Sequence, residues 1–166
     1  MFNRFAFASI ALPLFAFALL TGCETARTPG PAGESHQGAR AVPVIEQVHG
    51  NDPSLDQPVV TLVQDRAALQ RLGANALEGM DVNFSEYDVI VFALGEQPTG
   101  GYWAHITGVQ QVGDVLYVQG LANQPAEDQA VTQALTYPYA VAVIPKTTAR
   151  IALSDIESVR GESLPE

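Results

Sequence analysis

Cysteine is nearly missing from this chain: its 166 residues hold one, Cys23. No disulfide can close within a single molecule, and no paired-thiol metal site can form. Histidine is scarce as well. His36, His49 and His105 never recur at the roughly three-to-five-residue spacing of a zinc ligand pair, and neither His49 nor His105 stands beside a catalytic motif. Basic residues number 8 against 18 acidic ones, a net charge of −10. A chain of that balance is not drawn to phosphates, which argues against nucleic acid and against anionic lipid headgroups as partners. No G-x-S-x-G elbow occurs. The glycines of 95–101 run into Tyr102 and Trp103 rather than into a lysine and a helix, so no phosphate loop is present. Glu127-Asp128 lacks the alternating acids of a calcium loop and reads as a solvated pair. Nothing here names a cofactor, a metal or a catalytic residue, and a binding protein rather than an enzyme is expected.

What is present begins with a leader. Arg4 precedes an apolar run of 16 residues, Phe5 to Leu20, and the segment ends Leu20-Thr21-Gly22-Cys23. The run falls short of the roughly twenty residues that span a bilayer, and Pro13 interrupts it, so a secretory signal over residues 1–22 is favoured over a transmembrane anchor. Small residues before a cysteine look like a bacterial lipobox, with Cys23 lipidated on its sulfur as the first mature residue. The acyl chain would attach the protein to a membrane of the bacterial cell envelope. Glu24, where an Asp would favour inner-membrane retention, points to the outer membrane, facing the periplasm. Loss of the leader removes Arg4 and no acid, which takes the net charge to about −11. Residues 24–41 are rich in Gly, Pro, Ala, Ser and Thr without apolar periodicity, and include a solvated His36. They read as a disordered tether with a reach on the order of 20–25 Å.

The remainder, 42–157 with a polar tail over 158–166, is long enough for one domain with a real core. Strands are expected over Val42–His49, Pro58–Val63, Val89–Leu94, Tyr102–Thr107, Val109–Gln119 (a hairpin turning at Gly113-Asp114), Ala140–Ile144 and Ala149–Leu153. Asp65 to Gly73 reads as a short helix, with Asp65 as N-cap and Gly73 as its stop. Residues 121–133 have no clear period and read as a long loop. The fold class that follows is mainly β (α+β), an antiparallel sandwich or barrel of about seven strands with one short helix.

The stretch that organises this pattern is Asp88 to Thr107. Val89 to Leu94 is apolar on both faces, as in the middle of a covered sheet. Gly95, Gln97, Pro98, Thr99, Gly100 and Gly101 then form a turn leading to Tyr102 and Trp103. It is either a long hairpin connection or a preformed recognition loop. Pro98 and Thr99, at its tip, have no evident core role. A second turn, Thr136-Tyr137-Pro138-Tyr139, adds aromatics. Tyr102, Trp103, Tyr137 and Tyr139 are either interface anchors, worth about 2 kcal/mol or more each when desolvated, or core residues flanking a sheet. A protein-binding module competes with one that stacks a small molecule or envelope polymer on its aromatics, and with a structural lipoprotein that exposes no site. Exposure of Thr99 and Trp103 separates them.

These residues carry a resemblance. From about Val59 to Lys146 the chain resembles the PrcB C-terminal-like family. The shared features are the apolar strand Val89–Leu94 ending at Gly95, the turn Pro98-Thr99-Gly100-Gly101-Tyr102, the segment Thr136, Pro138, Tyr139, and Pro145-Lys146 after an apolar strand. The family is named for a bacterial lipoprotein that binds and stabilises a surface protease complex. The resemblance implies a partner protein of that kind, a stabilising or regulating role, and no catalytic residues. A fainter likeness is to chagasin-type inhibitors of cysteine proteases, immunoglobulin-like proteins that plug the enzyme cleft with an N-P-T-T-G-Y loop. Gln97 here replaces the Asn, and Gly100 replaces the second Thr.

Overall fold

Two strands carry continuous apolar runs, Val89–Leu94 and Ala140–Ile144, and the architecture grows from the need to cover both of their faces. The computed structural model describes residues 38–165. The leader, Cys23 and the tether as far as residue 37 lie outside the described residues. In chain order the elements are β1 (Arg40–Ala41), β2 (Glu46–Asn51), β3 (Pro58–Val63), α1 (Arg66–Leu72), α2 (Asn75–Glu78), β4 (Tyr87–Leu94), β5 (Trp103–Val112), β6 (Val115–Gln124), β7 (Pro138–Pro145) and β8 (Arg150–Arg160). They form two four-stranded sheets, ordered β1-β5-β6-β8 and β2-β7-β4-β3.

β4 and β7 sit in the middle of the second sheet, paired antiparallel. Ile90, Phe92, Ala140, Ala142 and Ile144 face the first sheet, where they meet Ala104, Ile106, Val109, Leu116 and Val118. The alternate residues Val89, Val91, Ala93, Val141 and Val143 face the other way and are covered by Leu55, Leu69, Leu77 and Phe84. A sheet buried on both faces needs continuous apolar strands, and these are the two. The expected mainly β sandwich is therefore present, with the helical segment as a third layer.

Local punctuation works as the residue types require. The Asp65 carboxylate accepts the Ala68 N–H at 2.6 Å, and Gly73 ends α1 in the left-handed region at φ 67°. The connection after α1 adds the single turn α2, so there are two helices where one was expected. The strands number eight rather than about seven, because Arg40 and Ala41 leave the tether to pair with Gln111 and Gln110. β8 also runs to Arg160, beyond its expected end at Leu153 and into the polar tail, and pairs parallel to β6. Leu121 to Gln124, expected in a loop, complete β6. Among the described residues no helix is long and apolar enough to cross a membrane.

Two acidic residues, Asp52 and Asp88, are buried among the described residues. Asp88, at the start of β4, is fully buried. Its carboxylate accepts Lys146 Nζ at 2.7 Å, the Thr147 N–H at 2.9 Å and Gln64 Nε2 at 3.3 Å. Lys146 Nζ also donates to the Gln64 carbonyl at 2.7 Å. The cluster fastens the chain after β3 and the turn after β7 to the base of β4. Removing one partner strands a buried charge, so Lys146→Met is expected to lower stability by about 3 kcal/mol in chemical denaturation. The Asp88→Asn/Lys146→Met double variant should lose less than the two single losses combined.

Candidate functional site

The chain leaves β4 at Gly95, which is buried and holds φ +74°. A Cβ there would lie 2.7 Å from Pro58 Cδ and 3.0 Å from the Asp56 carbonyl, so only glycine fits. The next residues do not project freely. Gln97 and Thr136 exchange both backbone hydrogen bonds, at 2.8 and 3.0 Å, in a bridge between the two turns singled out from the sequence. The Thr136 hydroxyl donates to the Thr99 carbonyl at 2.7 Å, and the Gly100 N–H donates to the Thr132 carbonyl at 2.8 Å. The Gln97 side chain folds back onto the Leu94 carbonyl at 3.0 Å. Gly101, at φ +85°, backs onto Val131 and Pro125 so closely that a Cβ would meet Val131 Cγ1 at 2.8 Å. The two turns, far apart in sequence, are one stapled surface at one end of the sandwich.

The individual residues divide. Pro98 and Gly101 are exposed, while Gln97, Thr99, Gly100, Tyr102, Trp103, Thr136 and Tyr137 are half-buried. Tyr137 donates its hydroxyl to Glu96 Oε2 at 2.9 Å, and its N–H goes to Asn51 Oδ1 at 3.1 Å. That hydrogen bond to Glu96, then burial and the charges of Glu96 and Asp56, raise the phenol above its ordinary pKa. Pro138 and Tyr139, expected on the same surface, are buried instead. They open β7, and Tyr139 lies over Gly50, where a Cβ would stand 2.8 Å from its hydroxyl. The Tyr139 ring fills the space this cross-strand glycine leaves.

Trp103 is tied down by the tail. Its indole N–H donates to the Glu162 carbonyl at 3.0 Å, and the Glu162 N–H returns to Asn123 Oδ1 at 3.1 Å. Buried Asn123 spends its other end on the Gly101 carbonyl at 2.9 Å. One amide thus joins the loop, β6 and the C-terminal segment. Sequence reasoning missed Asn123 and Glu96, which act through partners remote in sequence. Leu135 is 56% exposed, a large apolar side chain left in solvent at the stapled end.

A cleft does lie among the aromatics, lined by His49, Tyr102, Trp103, Tyr139 and Leu164, but its volume is about 140 Å³. Pockets that enclose a small-molecule ligand start near 300 Å³. Size therefore counts against a stacked ligand, and the exposed surface is the broader feature. Behind the cleft, His49 and His105, unremarkable in sequence, approach with ring centroids 5.5 Å apart. Gln47 Nε2 lies 2.7 Å from His105 Nδ1. With that amide nitrogen donating, Nδ1 accepts, which only the neutral ring can do. Burial, and secondarily the nearby His49, lower the His105 pKa below 6.5. A depressed histidine pKa means the fold favours the neutral ring. Its contribution is present above the unfolded value of about 6.5 and is lost as pH falls through it. Melting temperature should drop between about pH 7 and 5, and less steeply in His105→Gln.

Residues 89–145 match the family model described as PrcB C-terminal. No curated protein and no solved structure matches the chain. The matched span runs from the third residue of β4 to the end of β7, and so contains both halves of the stapled surface. Over residues 89–145 the chain is similar to the PrcB C-terminal family.

Proposed function

We propose that this chain is a lipid-anchored binding module of the bacterial cell envelope that associates with a protease complex and stabilises or regulates it. Cys23 is the attachment point in this reading, with an acyl anchor in the outer membrane and the domain held in the periplasm by its tether. The family name supports a protease complex as partner. The observation that carries the reading is the Gln97–Thr136 bridge, reinforced by the Thr136 hydroxyl on Thr99. It fixes the shape of a surface on which Pro98 and Leu135 stand exposed. Binding through a surface already in place avoids an ordering cost of about 0.5–1.5 kcal/mol for each side chain that would otherwise be immobilised.

The same bonds favour docking over plugging. A loop that inserts into an enzyme cleft must stand proud of its neighbours, whereas Gln97, Thr99 and Gly100 all have main-chain groups joined to residues 132–136. A broad stabilising contact suits that geometry better than a chagasin-like wedge. Catalysis has no part in this reading.

Thr99→Arg and Leu135→Asp place a charge on the surface without touching the main-chain bonds. Each is expected to change stability by no more than about 0.5 kcal/mol. Each should also abolish co-purification of protease activity with the full-length chain from envelope extracts. Undiminished activity in the captured fraction from both variants would overturn the reading.

A further inference from the structure

The long flank of the sandwich away from β2 is open. β3 and β8 are both terminal in their sheets, and between them runs an apolar slot of about 290 Å³. Pro58, Val60, Phe92 and Leu94 line it on one side and Ile156 on the other. Gly120 keeps it open, since a Cβ there would meet both Ile156 Cδ1 and Phe92 Cε1 at 3.0 Å. The two edges are not equivalent. β3 begins with proline, which has no N–H to offer a neighbour, while β8 is an 11-residue edge without proline.

The side chains of β8 alternate in character across that edge. Ile156 points into the slot, whereas Asp155 and Glu157 are exposed and line a depression on the opposite face with Thr107, Gln119 and Leu121. The cations on β8 are engaged elsewhere: Arg150 pairs with Asp114 at 3.0 Å and Arg160 with Glu127 at 3.1 Å. Asp155 and Glu157 take part in none of the three ion pairs of the described residues.

We propose that the β8 edge accepts an extended segment of a partner protein in which apolar and basic residues alternate. The pleat dictates that pattern. A strand added beside β8 turns alternate side chains inward, onto Ile156, Val60 and Leu94, and the others outward, next to Asp155 and Glu157. The inward set closes the slot, and the outward set supplies the missing cations. A second copy of this chain is a poor occupant, because two β8 edges would bring their carboxylates together. This surface is separate from the loop end, so the two readings can fail independently.

The test uses the full-length chain and a labelled synthetic peptide of alternating valine and lysine, with a valine–glutamate peptide as counterpart. Anisotropy titrations should show binding of the first and not the second. Backbone amides of β8 should gain hydrogen-exchange protection, and N-methylation of the peptide's pairing amides should abolish binding. Asp155→Lys/Glu157→Lys, at exposed positions, should reverse the preference, with the lysine peptide weakened on the order of tenfold. Thr99→Arg should leave all of this unchanged. The proposal is overturned if neither peptide binds, if protection appears away from β8, if charge reversal leaves the preference intact, or if sedimentation shows the chain pairing with itself through this edge.

Discussion

The structure depends on one constraint, the burial of β4 and β7 on both faces. A strand covered on one side can tolerate polar residues on the other; these two cannot, and between Val89 and Ala93 and between Ala140 and Ile144 there is none. The first sheet covers one side and the α1–α2 segment covers the other. That arrangement also explains why Asp88 lies where it does. At the end of β4 a carboxylate can still find Lys146, Thr147 and Gln64, whereas one turn of the pleat further in it would meet only aliphatic side chains.

The rigidity of this pair passes to the loops at its ends. β4 delivers the chain to Gly95, and β7 begins just after Tyr137, so the two turns are held by adjacent strands. Neighbouring strands put their ends within hydrogen-bonding reach, and the Gln97–Thr136 bridge is the consequence. The third fastening comes from the other sheet, through Asn123. Because its amide is fully buried, both of its polar ends must be satisfied, and Gly101 and Glu162 satisfy them. Loop position is thus determined by demands of the interior rather than by the loop's own residues.

How much of this was legible in the sequence follows from the range of each interaction. Asp65, Gly73 and Gly113 act within a few residues, and their elements came out where local rules place them. Val89 to Leu94 announced a two-sided strand because burial on both faces leaves no alternation to misread. Long-range partners left no such mark. The parallel pairing of β8 with β6 is a property of topology, and the polar end of β6 read as loop because Asn123 is polar yet turned inward. Tyr139 could be read as core or as surface because its reason for burial, Gly50, lies on another strand. The aromatic types were visible, but their division into core and surface was not.

The two proposed surfaces present different kinds of energy to a partner. At the loop end the main chain is already satisfied by its own segments, so recognition there must come from side chains: Pro98, Leu135 and the half-exposed Tyr137. At β8 the situation is inverted, since an edge strand presents unpaired N–H and C=O groups and gains most from a partner's backbone. A partner that used both would be read for shape at one end and for alternation along one side. Main-chain pairing alone is indifferent to sequence, so an edge that relied on it would be open to any extended chain, including a copy of itself. Asp155 and Glu157 supply the discrimination that the backbone lacks, by repelling acidic strands and leaving the pairing available to basic ones.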